Sequence, residues 1–340
     1  MVSNRFRKKK KSIPIQQYVE GIKSGDRMTL AKAITLIESN HPDHFQAGQQ
    51  LLKEILPLTG KSMRIGITGV PGAGKSTFIE RFGTDLCQMG KKVAVLAIDP
   101  SSTISQGSIL GDKTRMAQLS REENAFIRPS PSGGTLGGVH RKTRETILLC
   151  EAAGYDMILV ETVGVGQSEV VVRTMVDMFL MLTITGAGDD LQGMKKGMME
   201  LVDAIIVTKA DGDNKEKAIK TRNEYNQILR LLKAATEGWQ TKAVACSSIT
   251  GEGISDVWEL ILDFFNSTKK SGVFYARRKK QTTDWMLTSI RERLEQTFFQ
   301  NEQIKKRLPV VQRNVETGRL PVSIAVENLL ADFFNNQYKE

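Results

Sequence analysis

Residues 69–77 read GVPGAGKST and fit the spacing GxxxxGKS, with an apolar, partly β-branched run from Met63 to Thr68 before them and a helical pattern after them. A strand, a glycine loop and a helix start make a phosphate cradle, and the residue types follow from that chemistry. Gly69, Gly72 and Gly74, with Val70, Pro71 and Ala73 between them, let backbone N–H groups turn inward toward phosphate oxygens. Lys75 reaches the outer phosphates, the Ser76 hydroxyl is placed to ligate Mg²⁺, and Thr77 completes the motif.

A second run, Ala204 to Val207, ends in TKAD at 208–211, where a buried parallel strand delivers a loop to its carboxyl end. The Asp211 carboxylate can accept from N1–H and the 2-amino group of guanine while the Lys209 stem lies along the base. Adenine lacks the 2-amino donor, so an acid here favours guanine. Ser247, Ser248 and Ile249 follow another strand, Lys242 to Cys246, and complete the base end. Acidic residues for a Mg²⁺ site lie between the two motifs. Asp99 ends VAVLAID, and Glu161 ends the buried run DMILVE with Gly164 three residues on, where an N–H can sense a γ-phosphate. Asp112 either joins them or caps a helix starting near Lys113.

These residues need a frame that brings distant strand ends together. Strands near 63–69, 92–99, 125–129, 156–163, 178–185, 204–208 and 242–247 alternate with helical stretches, which predicts an α/β fold with a mostly parallel sheet flanked by helices. Before it, residues 1–60 read as a helical extension: Asp26 caps a segment with Leu30, Ala33, Ile34 and Ile37 on one face, and Phe45, Leu51, Leu52 and Ile55 suggest another helix. His41 and His44 lie in the turn between them and read as caps rather than metal ligands. The polar, basic stretch 266–282 reads as a boundary between a nucleotide-binding domain, 61–268, and a helical C-terminal extension, 269–340. In that extension Ile290, Leu294 and Phe298 repeat every four residues, Pro309 interrupts, and Val326, Leu329, Leu330 and Phe333 form a second apolar face. Such a tail packs on its own domain or on a second copy.

The 340-residue chain is 40% apolar and 25% charged, without a run apolar enough to span a bilayer or an N-terminal secretory segment. Cys87, Cys150 and Cys246 are dispersed and form no CxxC, so the expected compartment is the reducing cytoplasm, with no membrane association. Much of the net charge of +10 sits in two runs, Arg5 to Lys11 and Arg277 to Lys280, which read as solvated, flexible segments. Aromatic residues do not interleave with these runs, which argues against nucleic acid as a partner.

The set GVPGAGKST, AIDPSSTISQGSILGDKTRM, RPSPSGGTLGGV, ILVETVGVGQSE, GDDLQGMKKG and TKADGDN resembles the MeaB/ArgK/MMAA family of SIMIBI-class P-loop GTPases across nearly the whole chain. The resemblance implies a Rossmann-like GTPase domain with helical extensions at both ends and a homodimer held partly by the C-terminal one. It also implies GTP hydrolysis to GDP that gates cofactor loading and protects an adenosylcobalamin-dependent methylmalonyl-CoA mutase, the adenosylcobalamin entering only through that partner. On that basis Gly69 to Thr77 bind phosphates, Ser76, Asp99, Asp112 and Glu161 organise Mg²⁺ or its waters, and Lys209, Asp211 and Ser247 to Ile249 frame guanine. Within an additional switch, Gly186 to Gly197, Lys195 either delivers a cation to the transferring phosphate or lies on a solvated helix face, and Gln167 is a candidate to orient the attacking water. Two positions depart from the family pattern: Thr208 stands where relatives usually carry Asn, and Gln106 where a second glycine is common. An older description of similar proteins as lysine/arginine/ornithine transport ATPases gives the alternative of an ATPase or kinase linked to transport. A nickel-delivery GTPase shares the fold class, but three histidines and scattered cysteines offer few ligands.

Overall fold

A computed structural model of the chain describes residues 14–39, 41–99, 116–131, 136–162, 168–186 and 196–337. Seven parallel strands form one sheet in the order β3-β2-β4-β1-β5-β6-β7: β1 Met63–Gly69, β2 Val93–Asp99, β3 Ala125–Pro131, β4 Met157–Thr162, β5 Met178–Thr183, β6 Ala204–Val207 and β7 Lys242–Ala245. After β1 the chain places β2 and β3 progressively outward on one side, returns with β4 between β2 and β1, then crosses to the other side for β5, β6 and β7. Strand order therefore reverses at β1, and its carboxyl end opens into the crevice where α/β sheets bind ligands.

Both sheet faces are covered, so the strands are mostly apolar; β5 is buried at every position. Alternate residues divide between two cores. Ile158 and Val160 of β4 and Phe179 and Met181 of β5 face a layer that includes α1 Ile15–Lys23, α2 Arg27–Glu38, α3 Pro42–Ile55 and α5 Leu136–Ala152. Met157, Leu159, Leu180 and Leu182 face α4 Lys75–Gln88 and a long helix, α9 Ile254–Ser271. Three further elements complete the layers: α6 Ser168–Arg173, α7 Lys196–Met199 and α8 Lys215–Leu229. The N-terminal helices begin where capping chemistry directs: Asp26 accepts from the Met28 and Thr29 N–H groups, and His41 accepts from Asp43 N–H.

The chain divides into two compact units, Met1–Arg278 and Lys279–Glu340. Apart from Gly272, at φ +80°, the stretch 266–282 is helical, running from α9 into α10 Val273–Gln300, so the basic run within it is not a flexible segment. Nor are both arginines of its basic run solvated. Arg278 donates to both Asp177 carboxylate oxygens at 2.7 Å and to the Gly60 and Ser62 carbonyls, while Arg277 donates to the Asp177 carbonyl and to Thr236. Burial works against the Arg278 charge, but the bonds to Asp177 and the nearby Glu151 outweigh it and raise its basicity above the ordinary value. Asp177 and Asp203 directly precede β5 and β6 and Glu151 lies in the last turn of α5, all more than 70 residues upstream, where no local pattern reports them.

In the second unit, Asn301 caps α11 Glu302–Glu316, whose Ile304 and Val311 pack with Ala325, Leu329 and Phe333 of α12 Val322–Gln337. Pro309 does not interrupt α11. It lies inside the helix on the exposed side, where the carbonyl one turn earlier that loses its N–H donor can be served by water. Ile290 and Leu294 of the expected apolar repeat are 48% and 62% exposed, so that face is not buried within its own unit.

Candidate nucleotide-binding site

The loop after β1 has the backbone that a phosphate cradle requires. Gly74 is left-handed at φ +76° directly before α4, and nothing lies within 4 Å of a Cβ built there, so the loop's inner side is open. Gly69 is glycine for another reason: at φ +147° its backbone passes so close to β5 that a Cβ would lie 2.1 Å from the Leu182 carbonyl oxygen. Ala73 is fully buried and Pro71, Gly72 and Thr77 are exposed.

Lys75, half-buried, folds back over the loop and donates to the Gly69 carbonyl at 2.9 Å and the Val70 carbonyl at 3.3 Å. Burial pulls its amine below the ordinary lysine range, and the charges of Glu161 and Glu169 oppose that pull. Glu169, the last residue of the ILVETVGVGQSE stretch, received no role from the sequence. It lies in the first turn of α6, only 2% exposed, and its Oε2 has no hydrogen-bond partner. Ser76 Oγ donates to Glu161 Oε1 at 3.1 Å, so a hydroxyl and a carboxylate converge beside the loop. Both are hard oxygen donors of the kind Mg²⁺ takes, and the pair fits that ion. Asp99 is the last residue of β2, and the neighbouring strand β4 ends at Thr162, opposite Ile98. Asp112, Lys195, Gln167, Gly164 and Gln106 lie outside the described residues.

The TKAD loop reaches the same sheet end. The Thr208 hydroxyl lies 2.7 Å from the Ala73 carbonyl oxygen and 2.9 Å from that of Thr183, so its single proton is shared between the phosphate loop and the end of β5. Lys209 has φ +57°, the one non-glycine residue with positive φ among those described, a conformation that costs energy and marks a constrained loop. Ser247 Oγ donates to Asp211 Oδ2 and accepts from the Ile249 and Thr250 N–H groups, which fixes the carboxylate against the 247–250 turn. Ser248 is partly exposed in that turn, and Ile249 is 77% exposed. Lys215 and Glu252 form an ion pair across the two loops. The structure thus gathers 69–77, Glu161, 208–211 and 247–249 at one end of the sheet.

A parallel sheet with a glycine-rich phosphate loop at its strand reversal defines a Rossmann-like P-loop NTPase. The sequence matches the family described as Methylmalonyl Co-A mutase-associated GTPase MeaB over residues 30–303, and the chain belongs to that family of GTP hydrolases. Among its relatives, a putative GTPase of Caulobacter vibrioides is 52% identical over 91% of this chain and 95% of its own. The methylmalonic aciduria type A homolog, mitochondrial, of Mus musculus is 45% identical over 94% of this chain and 79% of its own. A solved structure of a protein named LAO/AO transport system kinase superposes with a TM-score of 0.75 at 39% identity, covering 94% of this chain and 97% of that one.

The Thr208 contacts answer the departure from Asn. A hydroxyl at this position suffices to tie the phosphate loop to the TKAD loop. Thr208→Val keeps the shape and removes the tie, leaving the Ala73 carbonyl short of this donor while the Thr183 carbonyl keeps the Thr208 N–H at 2.8 Å, and is expected to weaken GDP binding about tenfold. Calorimetric titration measures this directly, and unchanged affinity would show that the tie does not position the site.

Proposed function

We propose that the protein is a GTP-hydrolysing chaperone of an adenosylcobalamin-dependent methylmalonyl-CoA mutase, gating cofactor loading and protecting the mutase. One observation carries the nucleotide half: Asp211, aimed by Ser247, shares a sheet end with the 69–77 loop, and Thr208 bridges the two. In this reading the loop N–H groups and Lys75 hold the phosphates, and Asp211 accepts from the guanine edge between Lys209 and Ile249. Ser76 and Glu161, with Asp99 beside them, hold Mg²⁺, which when bound neutralises phosphate charge. The partner half rests on the family's description and on the mouse relative's name.

A homodimer belongs to the same reading. It is supported by Met286, Leu287, Ile290 and Leu294, spaced along one stripe of α10 and each 43–62% exposed. A monomeric mass in sedimentation at micromolar concentration would remove that element.

The decisive experiment pairs two measurements. Calorimetry with Mg²⁺ should show GDP bound well above ADP, and phosphate release from GTP should be slow alone and faster as purified mutase is added. A rate flat over saturating mutase would remove the partner. An ATP-using component linked to transport is the second reading, favoured by the name of the similar protein of solved structure, a transport system kinase. It calls for ADP over GDP and for association with membranes; among the described residues no helix is long and apolar enough to cross one.

A further inference from the structure

Asn214 occupies the position before α8 where an asparagine side chain ordinarily accepts from the second or third N–H of its helix. It makes no such cap. Its Nδ2 instead donates to the Lys209 carbonyl at 2.7 Å, and its Oδ1 accepts from the Thr185 hydroxyl at 2.6 Å. The amide orientation is forced, because a carbonyl only accepts: Nδ2 must face Lys209, and Oδ1 then faces a hydroxyl that donates. The Asn214 N–H also donates to the Asp211 carbonyl at 3.1 Å. One residue therefore holds the backbone of both Lys209 and Asp211 and ties them to the segment just past the end of β5.

The held loop is the strained one. Lys209 takes its positive φ at the residue whose carbonyl Asn214 grips. Without that grip the peptide after Lys209 is free to relax toward an ordinary conformation, turning the backbone that carries Asp211 two residues on. Thr185 supplies the fixed point, since β5 lies in the sheet interior between β1 and β6.

We infer that Asn214, anchored by Thr185, is a positioning residue that sets base selectivity by holding Lys209 and Asp211 in their reading conformation. The inference rests on the guanine reading above and assigns Asn214 no contact with nucleotide. The chain already provides a distinguishing variant, because serine is as good a helix cap as asparagine but cannot span to Lys209 and Thr185 together. Asn214→Ser in the full-length protein is expected to keep or raise the melting temperature. Its GDP affinity is expected to fall about tenfold, with the GDP-over-ADP preference shrinking by the same factor, because ADP does not draw on Asp211. KM for GTP should rise while kcat, set at the phosphate end, changes little. Thr185→Val should move affinity in the same direction and Thr185→Ser should restore it.

Wild-type GDP affinity in Asn214→Ser or in Thr185→Val overturns the inference, as does an equal loss for GDP and ADP, which would place the effect at the phosphates. Equal binding of GDP and ADP by the unmodified protein is a different result: it removes the guanine reading itself.

Discussion

Lys75→Ala is expected to lower GTP hydrolysis at saturating nucleotide at least ~100-fold, in line with the loss of one preorganised donor to a developing oxyanion. The ammonium lies over the loop on the Gly69 and Val70 carbonyls, so reaching a phosphate exchanges weak neutral acceptors for charged ones. The amine carries its charge against partial burial, with Glu161 and the buried Glu169 as its electrostatic support. Arginine does not substitute, because a planar fork on a longer stem cannot occupy the point where one ammonium meets two adjacent carbonyls. Phosphate release measured for Lys75→Ala and Lys75→Arg checks both statements, with the melting temperature as control. The alanine variant removes a partly desolvated charge, so its stability should not fall. Activity within tenfold of wild type would take Lys75 out of the reaction.

The site was legible in the sequence where its chemistry is local. The glycine loop, the Asp211 loop and the Ser247 turn each announce themselves within a few residues, since each sits at a strand end with fixed backbone demands. The strands were legible because a sheet covered on both faces must be apolar at successive positions, as β5 is. What stayed hidden depends on partners far along the chain. Nothing around Arg277 and Arg278 signals acids at 177 and 203, so a run of four basic residues reads as solvated when half of it is partly buried in ion pairs. Asn214 received no role from the sequence because the carbonyl and hydroxyl its side chain serves lie in other segments. Pro309 reads as a break because its missing N–H is visible in sequence and the exposure that makes the loss cheap is not.

Asp177→Ala is expected to destabilise the first unit by ~3–5 kcal/mol, the range for leaving a buried charge without its partner. Asp177 is almost wholly buried and receives both nitrogens of the Arg278 fork and the Arg64 N–H. Removing the carboxylate strips Arg278 of its bidentate ion pair, and Glu151, 3.7 Å away, is a poor replacement because Arg64 already occupies it bidentately. In a unit of this size that cost corresponds to a melting temperature lower by about 10 °C. The reverse change, Arg278→Met, should be milder, because Asp177 keeps the Arg64 N–H and the methionine fills apolar space beside Phe274, on which the guanidinium now stacks at 4.4 Å. Joined, the two substitutions should recover part of the loss, since no unpaired charge remains. Thermal unfolding of the three variants decides the matter: a single Asp177→Ala variant melting within ~2 °C of wild type, or a double variant no better than the sum of the singles, would show that water rather than Asp177 satisfies Arg278. The cluster lies at the amino ends of the strands, ~20 Å from the phosphate loop by the rise of a seven-residue strand. GDP affinity measured well below the melting point should therefore stay at the wild-type value, which separates what holds the fold from what reads the nucleotide.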